Sequence, residues 1–178
     1  MNRKLAIFGV ALLATLAVLT TRAQDKSKRP SPPASADCKL GGGKTVHVDY
    51  SSPRAKGRKI FGGLVPYGKP WRLGANEATT FVTMADLNVG GKSVPAGSYT
   101  LFVLPSTDTW SLIVSRKTGE WGEPYPGEEN DFTRAPMTVS QLPAPVENFT
   151  IAFDEAGDKC TMRVEWETTR ATIDISAK

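Results

Sequence analysis

The segment FTIAFDEAGDKCTMRVEW, residues 149–166, decides the fold class. Large apolar side chains occupy every second position on either side of a glycine-bearing turn: Phe149, Ile151, Phe153, Met162, Val164 and Trp166. A period of two is typical of a strand that buries one face. The turn at Glu155–Lys159 therefore predicts an antiparallel hairpin.

Similar patterns extend outward from this hairpin. Further strands are predicted at 46–50, 80–85, 99–104, 110–115, 137–139 and 173–175, with a two-residue turn at Gly90-Gly91 and breaks at Pro143 and Pro145. A helical turn around Ile60–Val65 is the only helix expected. Eight or nine short strands predict an all-β chain, folded as a single β-sandwich or jelly-roll-like domain with one long ordered loop.

The N-terminus has the pattern of a secretory signal peptide. Arg3 and Lys4 precede the apolar run Leu5–Leu19, and small residues before Gln24 predict cleavage after Ala23. We therefore expect residues 1–23 to direct export to the periplasm or out of the cell. An uncleaved anchor is the alternative, although the run is shorter than the roughly 20 residues of a membrane span. No transmembrane span is expected after signal removal.

Residues 24–37 are rich in proline, serine and lysine, which predicts a disordered linker before a folded domain over residues 38–178. The whole chain has a formal net charge of +4. Its excess of basic residues lies within the first 37 positions, so that residues 38–178 carry 16 basic and 16 acidic residues. A neutral domain argues against nucleic acid as a partner, because nucleic-acid binding needs a net basic surface.

Cys38 and Cys160 are the only cysteines. In an exported chain such a pair predicts a disulfide bond. Closing so long a loop would stabilise the fold by about 4–5 kcal/mol in the chain-entropy model. Two separate thiols or a redox pair are the alternatives, but the chain has no C-x-x-C spacing.

Residues 52–80 form a glycine- and proline-rich segment that is too long for an ordinary connection between strands. Its aromatic side chains and the apolar run 60–65 indicate that it is ordered. Residues 53–72 carry six basic residues and no acid, whereas residues 120–131 carry five acids and no base. Either these two loops neutralise each other, or each is a separate solvated face.

Three motifs resemble those of the bacterial family labelled domain of unknown function 2911. They are GRKIFGGLVPYG at 57–68, Trp71-Arg72 followed by GANEAT at 74–79, and PAGSY at 95–99. The similarity extends over about residues 46–175. The resemblance implies an exported β-rich domain and implies no activity.

The long loop also supplies most of the predicted binding residues. A second aromatic loop, which contains Trp121 and Tyr125, adds to the predicted binding surface. The predicted binding residues are Arg58, Tyr67, Trp71, Arg72, Asn76, Glu77 and Trp121. Planar guanidinium groups bind carboxylate or phosphate, amide and carboxylate groups form directional hydrogen bonds, and aromatic rings can stack on a ligand. Together they suit a small anionic or sugar-like ligand. The alternative is internal: an Arg–Glu pair, with asparagine capping loop amides, would hold the loop on the sheet.

His47 is the only histidine and lies two residues from Asp49, so both side chains project from one face of a strand. With Glu77 they are candidate metal ligands or, for His47, a general base. A solvated surface pair is the alternative, and we expect no metal and no cofactor. Paired carboxylates for glycoside hydrolysis, among Asp49, Glu77 and Glu123, have no diagnostic spacing.

Three functional hypotheses follow. The first is a non-catalytic envelope domain that binds a small molecule, a glycan or an envelope protein through the loop. The second is a hydrolase-type enzyme that uses His47 or the group Arg72, Asn76 and Glu77. The third is a purely structural envelope protein.

Overall fold

A computed structural model describes residues 25–178, so the predicted signal peptide and its cleavage site lie outside the described residues. Residues 25–178 form nine strands and three 3₁₀ turns. The strands are β1 (Pro33–Leu40), β2 (Lys44–Ser51), β3 (Thr79–Thr83), β4 (Leu87–Val89), β5 (Lys92–Val94), β6 (Gly97–Leu104), β7 (Trp110–Ser115), β8 (Asp131–Ala156) and β9 (Lys159–Ala177). The 3₁₀ turns are Lys26–Lys28, Gly41–Gly43 and Glu128–Asn130.

All nine strands belong to one antiparallel sheet in the order β1-β2-β3-β6-β7-β8-β9-β4-β5. The long strand β8 pairs with β7 through residues 131–137 and with β9 through its remaining length. The sheet folds on itself, because β1 packs against β8 and β9 without belonging to their ladder. The all-β prediction, with about nine strands and one long ordered loop, is confirmed.

Strand β8 differs from its prediction. The prolines at 143 and 145 do not end the strand; they lie where the pairing between β8 and β9 shifts register, between Gln141 and Val146. Proline has no amide hydrogen to donate, so the ladder is interrupted there while the chain stays extended. The start of β8 at Asp131 escaped prediction because its first four residues are only partly buried and show no alternation.

The prediction of a disordered linker is wrong for residues 33–37, which form the first half of β1. This edge strand pairs with β2 from Pro33 opposite Ser51 to Leu40 opposite Lys44. Its ladder comes from backbone groups, which small residues supply as well as large ones. Ala34 and Ala36 pack against the core, but their size leaves too little hydrophobic signal to predict a strand.

The main core lies between the two halves of the folded sheet. Alternate residues of the central strand β6 serve different layers: Leu101 and Val103 enter the main core, while Phe102 faces outward. Phe102 is nevertheless fully buried, together with Ile113 of β7. A second apolar cluster therefore covers the outer face of the sheet, and Tyr125 of the 116–130 loop packs against it.

The loop between β2 and β3 is ordered, as predicted, but the helical turn expected at Ile60–Val65 is absent. The backbone amide of Val65 donates to the carbonyl of Ile60, and the amide of Gly62 donates to the carbonyl of Val65. Gly62 has a φ of +76°, which lies outside the right-handed helical region. The segment is therefore a tight non-helical turn that buries Ile60, Phe61 and Val65.

The predicted disulfide is confirmed: Cys38 of β1 is bonded to Cys160 of β9, 122 positions away. It joins the edge strand of one half of the sheet to a strand of the other half. Both cysteines are buried in the main core. The bond therefore closes the sandwich covalently on a side where no backbone ladder does so.

Replacing both cysteines by alanine should lower the free energy of unfolding by about 2–5 kcal/mol, because the unfolded chain loses a long covalent loop. Urea denaturation of the variant and of the oxidised wild type measures this difference. Unchanged stability would contradict a structural role for the bond.

Candidate functional site

The predicted binding residues do not converge on one cavity. A depression here called the N-terminal groove encloses about 410 Å³ and is lined by Lys26, Arg29, Pro33, Ala34, Asp49, Tyr50, Ser51, Glu77, Ala78, Thr80, Gly119 and Glu120. A second depression, the loop-base pocket, encloses about 650 Å³ and is lined by Ala55, Gly57, Arg58, Lys59, Pro145, Val146, Glu147, Glu167 and Thr168. Of the seven predicted residues, Glu77 lines the first and Arg58 the second. The other five line neither.

Trp71 is half-buried and packs against the main core. Its ring stacks on Trp166 at a centroid distance of 5.7 Å and an interplanar angle of 19°. It also meets Phe149 edge-on at 5.0 Å. Its indole Nε1 donates to the carbonyl of Gly74 at 3.0 Å, so its polar atom is satisfied inside the loop. Much of the aromatic surface predicted for a ligand is thus in contact with protein.

Arg58 also serves the loop itself. Its Nε donates to the carbonyl of Ala55 at 2.9 Å, and one terminal nitrogen donates to the carbonyl of Arg54 at 2.6 Å. Tyr67 is partly exposed, and its ring covers Gly62, where an added Cβ would lie 2.6 Å from the ring. These two side chains shape the turn they belong to.

Arg72 contacts the acidic loop. Its terminal nitrogen lies 2.6 Å from Oε2 of Glu123, the one ion pair in the described residues that joins 53–72 to 120–131. The predicted mutual neutralisation of the two loops is thus limited to this pair. Gly122 packs directly on Arg72 and Ala78. The side chain of Trp121, the preceding residue, is 54% exposed.

Asn76 and Glu77 bind the segment that precedes β1. Asn76 Nδ2 donates to the carbonyl of Ser31 at 2.9 Å. Glu77 pairs with Arg29 at 2.9 Å and with Lys26 at 3.0 Å. The predicted grouping of Arg72 with Glu77 is therefore wrong as a contact, because each residue pairs with a different segment. Lys26 and Arg29 lie in the predicted linker and are absent from the predicted site; their charge, opposite to that of Glu77, is the signal in the sequence that points to them.

Glu77 is held as a carboxylate. Its pKa is lowered to about 2 by a hydrogen bond from its own backbone amide first, then by Lys26 and Arg29. A carboxyl group with so low a pKa is a weak proton acceptor at neutral pH. Glu77 is consequently suited to fixing charge at the groove wall rather than to transferring a proton.

His47 lies between two carboxylates on the exposed face of β1 and β2. Its Nδ1 is 2.7 Å from Asp37 Oδ1, and its Nε2 is 3.2 Å from Asp49 Oδ2. The hydrogen bond with Asp37 is the main cause of a raised His47 pKa. Both ring nitrogens are thus engaged, and Asp37 was missed because it belonged to the predicted linker. Residues 25–178 contain no group of three or more His, Cys, Asp or Glu side chains placed to hold a metal ion.

Tyr125 completes the cover over the outer apolar cluster. Its ring meets Phe102 edge-on at 5.1 Å, and its hydroxyl donates to Asp131. Burial, reinforced by Asp131, raises the pKa of Tyr125 to about 12. Arg134 donates to the same Asp131 at 2.7 Å. The acidic loop is therefore fastened to β8 and acts as part of the scaffold.

Comparison with known proteins gives a family and no activity. The family model described as protein of unknown function (DUF2911) matches residues 31–175, which agrees with the resemblance seen in the loop motifs. No curated protein and no solved structure matches the chain.

Truncating Trp71 to alanine should lower the free energy of unfolding by about 3 kcal/mol, the lower end of the range for large aromatic truncations, because it removes a half-buried ring that stacks on Trp166. Trp121→Ala is the matched control and should change it by less than about 0.5 kcal/mol, since its ring is mostly exposed. Urea denaturation followed by circular dichroism measures both. Wild-type stability of Trp71→Ala would show that the ring is free for a ligand.

Glu77→Gln should destabilise the protein at neutral pH and lose this effect in acid. The folded-state pKa of Glu77, about 2, lies below its ordinary value of 4.5. Its contribution is thus present above pH 4.5 and disappears as the pH falls toward 2. Thermal melting of wild type and variant across this range measures the difference. A melting difference that is independent of pH would refute the ion-paired assignment.

Proposed function

This chain belongs to the DUF2911 family of proteins of unknown function, and on that premise we propose that it is an exported, non-catalytic binding domain. Its ligand site is the N-terminal groove, and its ligand is a small polar molecule that carries an amine or several hydroxyl groups. The observation that carries this proposal is the groove itself, a concave site of about 410 Å³ with charged groups on its walls.

Export is supported by the signal-peptide pattern of residues 1–23, which is typical of proteins sent to the periplasm or out of the cell. The disulfide is compatible with that assignment, because such bonds persist in oxidising compartments. Among residues 25–178, no helix is long and apolar enough to cross a membrane.

The ligand class follows from the charges that line the groove. Three carboxylates line it, those of Asp49, Glu77 and Glu120, against the two cations Lys26 and Arg29. Both cations are already paired with Glu77. Among the residues that the structure describes, the one ion-pair partner of Glu120 is Lys117, at 3.8 Å. Asp49 is paired with His47 at 3.2 Å. Glu120 is therefore the most available acceptor in the groove, and it favours a ligand that donates hydrogen bonds or carries positive charge.

Binding is favoured over hydrolysis by the state of the two residues that catalysis would need. The low pKa of Glu77 makes it a poor general base at neutral pH. His47 has no ring nitrogen free of a carboxylate partner. Two concave sites of this size beside the loop also favour binding over a purely structural role.

A thermal-shift screen of the exported protein should include amines, amino sugars, neutral sugars, peptidoglycan fragments, nucleotides and small carboxylates. An amine-bearing compound is expected to raise the melting temperature, and calorimetry should then give its affinity. Glu120→Gln should weaken that affinity by roughly 10-fold or more, because it removes a charged acceptor.

Asp158→Asn is the matched control, since Asp158 is an exposed carboxylate in the turn between β8 and β9 and does not line the groove. It should bind as wild type does. If no compound in the screen shifts the melting temperature, or if Glu120→Gln leaves the affinity unchanged, the groove is not the binding site.

A further inference from the structure

The exposed end of the long loop carries a concentrated positive charge. Residues 56–69, here called the basic tip, contain Lys56, Arg58, Lys59 and Lys69 and no acidic residue. None of these four side chains forms an ion pair with any residue between 25 and 178. Arg58 is occupied by backbone carbonyls, so three lysine ammonium groups have no carboxylate partner in the described chain.

Two large apolar side chains lie among these cations. Leu64 is 48% exposed and Tyr67 is 42% exposed, whereas Ile60, Phe61 and Val65 of the same segment are buried. Ile60, Phe61 and Val65 point into the core and anchor the tip from below. The tip therefore presents apolar groups to solvent from a position that the fold has fixed.

The tip is held rigidly at its base. Glu147 and Glu167, which lie beside it, accept hydrogen bonds from the backbone amides of Lys56 at 2.9 Å and Ile60 at 3.1 Å. Glu167 does so with a φ of +54°, a conformation that non-glycine residues rarely adopt. At the other end, the amide of Gly68 donates to the carbonyl of Pro105. Because the loop is already ordered, docking would cost little additional conformational entropy.

We propose that the basic tip docks on the headgroup region of an anionic phospholipid bilayer. Leu64 and Tyr67 enter the interface, where leucine and tyrosine side chains partition favourably, and the lysines lie over lipid phosphates. Lysine suits this role, since its compact charge responds to a diffuse negative surface rather than to one bidentate partner. A tip of 14 residues offers too small an area for a stable protein–protein interface, which involves about 20–30 residues on each side.

The test uses the exported protein carrying an environment-sensitive fluorophore at Leu64→Cys, with the same label at Met84→Cys as the matched control. Met84 is 73% exposed and lies outside the tip. On equimolar phosphatidylglycerol–phosphatidylcholine vesicles, the label at 64 should shift to the blue, and the label at 84 should not. Pure phosphatidylcholine vesicles should leave both unchanged. This local readout works whether or not an N-terminal anchor is retained.

Charge variants test the electrostatic part. Replacing Lys56, Lys59 and Lys69 by glutamine should weaken the vesicle affinity reported by the label at 64 by roughly 100-fold, about fivefold for each charge. The control variant replaces Lys39, Lys92 and Lys159 by glutamine. These three lysines are exposed and form no ion pair within residues 25–178, so the control should bind as wild type does. A parallel titration with soluble dextran sulfate distinguishes binding to an anionic bilayer from binding to any polyanion.

The proposal is overturned if the label at 64 keeps its aqueous emission on anionic vesicles. It is equally overturned if both lysine variants bind alike, or if dextran sulfate binds through the same lysines while vesicles do not. Loss of groove binding in the separate Glu120→Gln experiment would leave this proposal unaffected, because Glu120 lies outside the tip.

Discussion

The stacking of Trp71 on Trp166 is the contact on which much of the structure depends. It packs a half-buried side chain of the long loop against the aromatic core, where Phe61 of the same loop is buried against Trp110 and Trp166. The loop is therefore a component of the core rather than an appendage. Large buried aromatic surfaces contribute strongly to stability, so the loop cannot leave the sheet without opening the core.

This anchoring separates the two faces of the loop. The residues that point inward pack in the core. The lysines, Leu64 and Tyr67 lie on the outer face, where the ordered loop holds them in place although the core does not need them. Farther along the chain, Asn76 and Glu77 project toward the segment before β1 and hold it through Ser31, Arg29 and Lys26. One loop thus positions both the basic tip and a wall of the N-terminal groove.

The site residues show where inference from sequence reached its limit. Arg72, Asn76 and Glu77 are polar groups that need partners, and each has its own: Glu123, the carbonyl of Ser31, and Arg29 with Lys26. The type of a polar residue indicates what kind of partner it needs. Which residue becomes that partner depends on which segments the fold brings together. The small residues of β1 give too weak a hydrophobic pattern to predict a strand. The segment just before it, with Lys26 and Arg29, therefore also reads as linker in the sequence.

Alternation of apolar residues and the glycine turns determined the strands, because a strand with one buried face must repeat with a period of two. The two cysteines likewise determined the disulfide, and the loop motifs determined the family. Tertiary structure alone decided that β1 exists, that β8 continues past its prolines, and that Phe61 is buried while Leu64 is exposed. The physical reason is that these outcomes depend on contacts between segments distant in sequence, such as the pairing of β1 with β2 or of Trp71 with Trp166. Local secondary-structure propensity does not encode these long-range contacts.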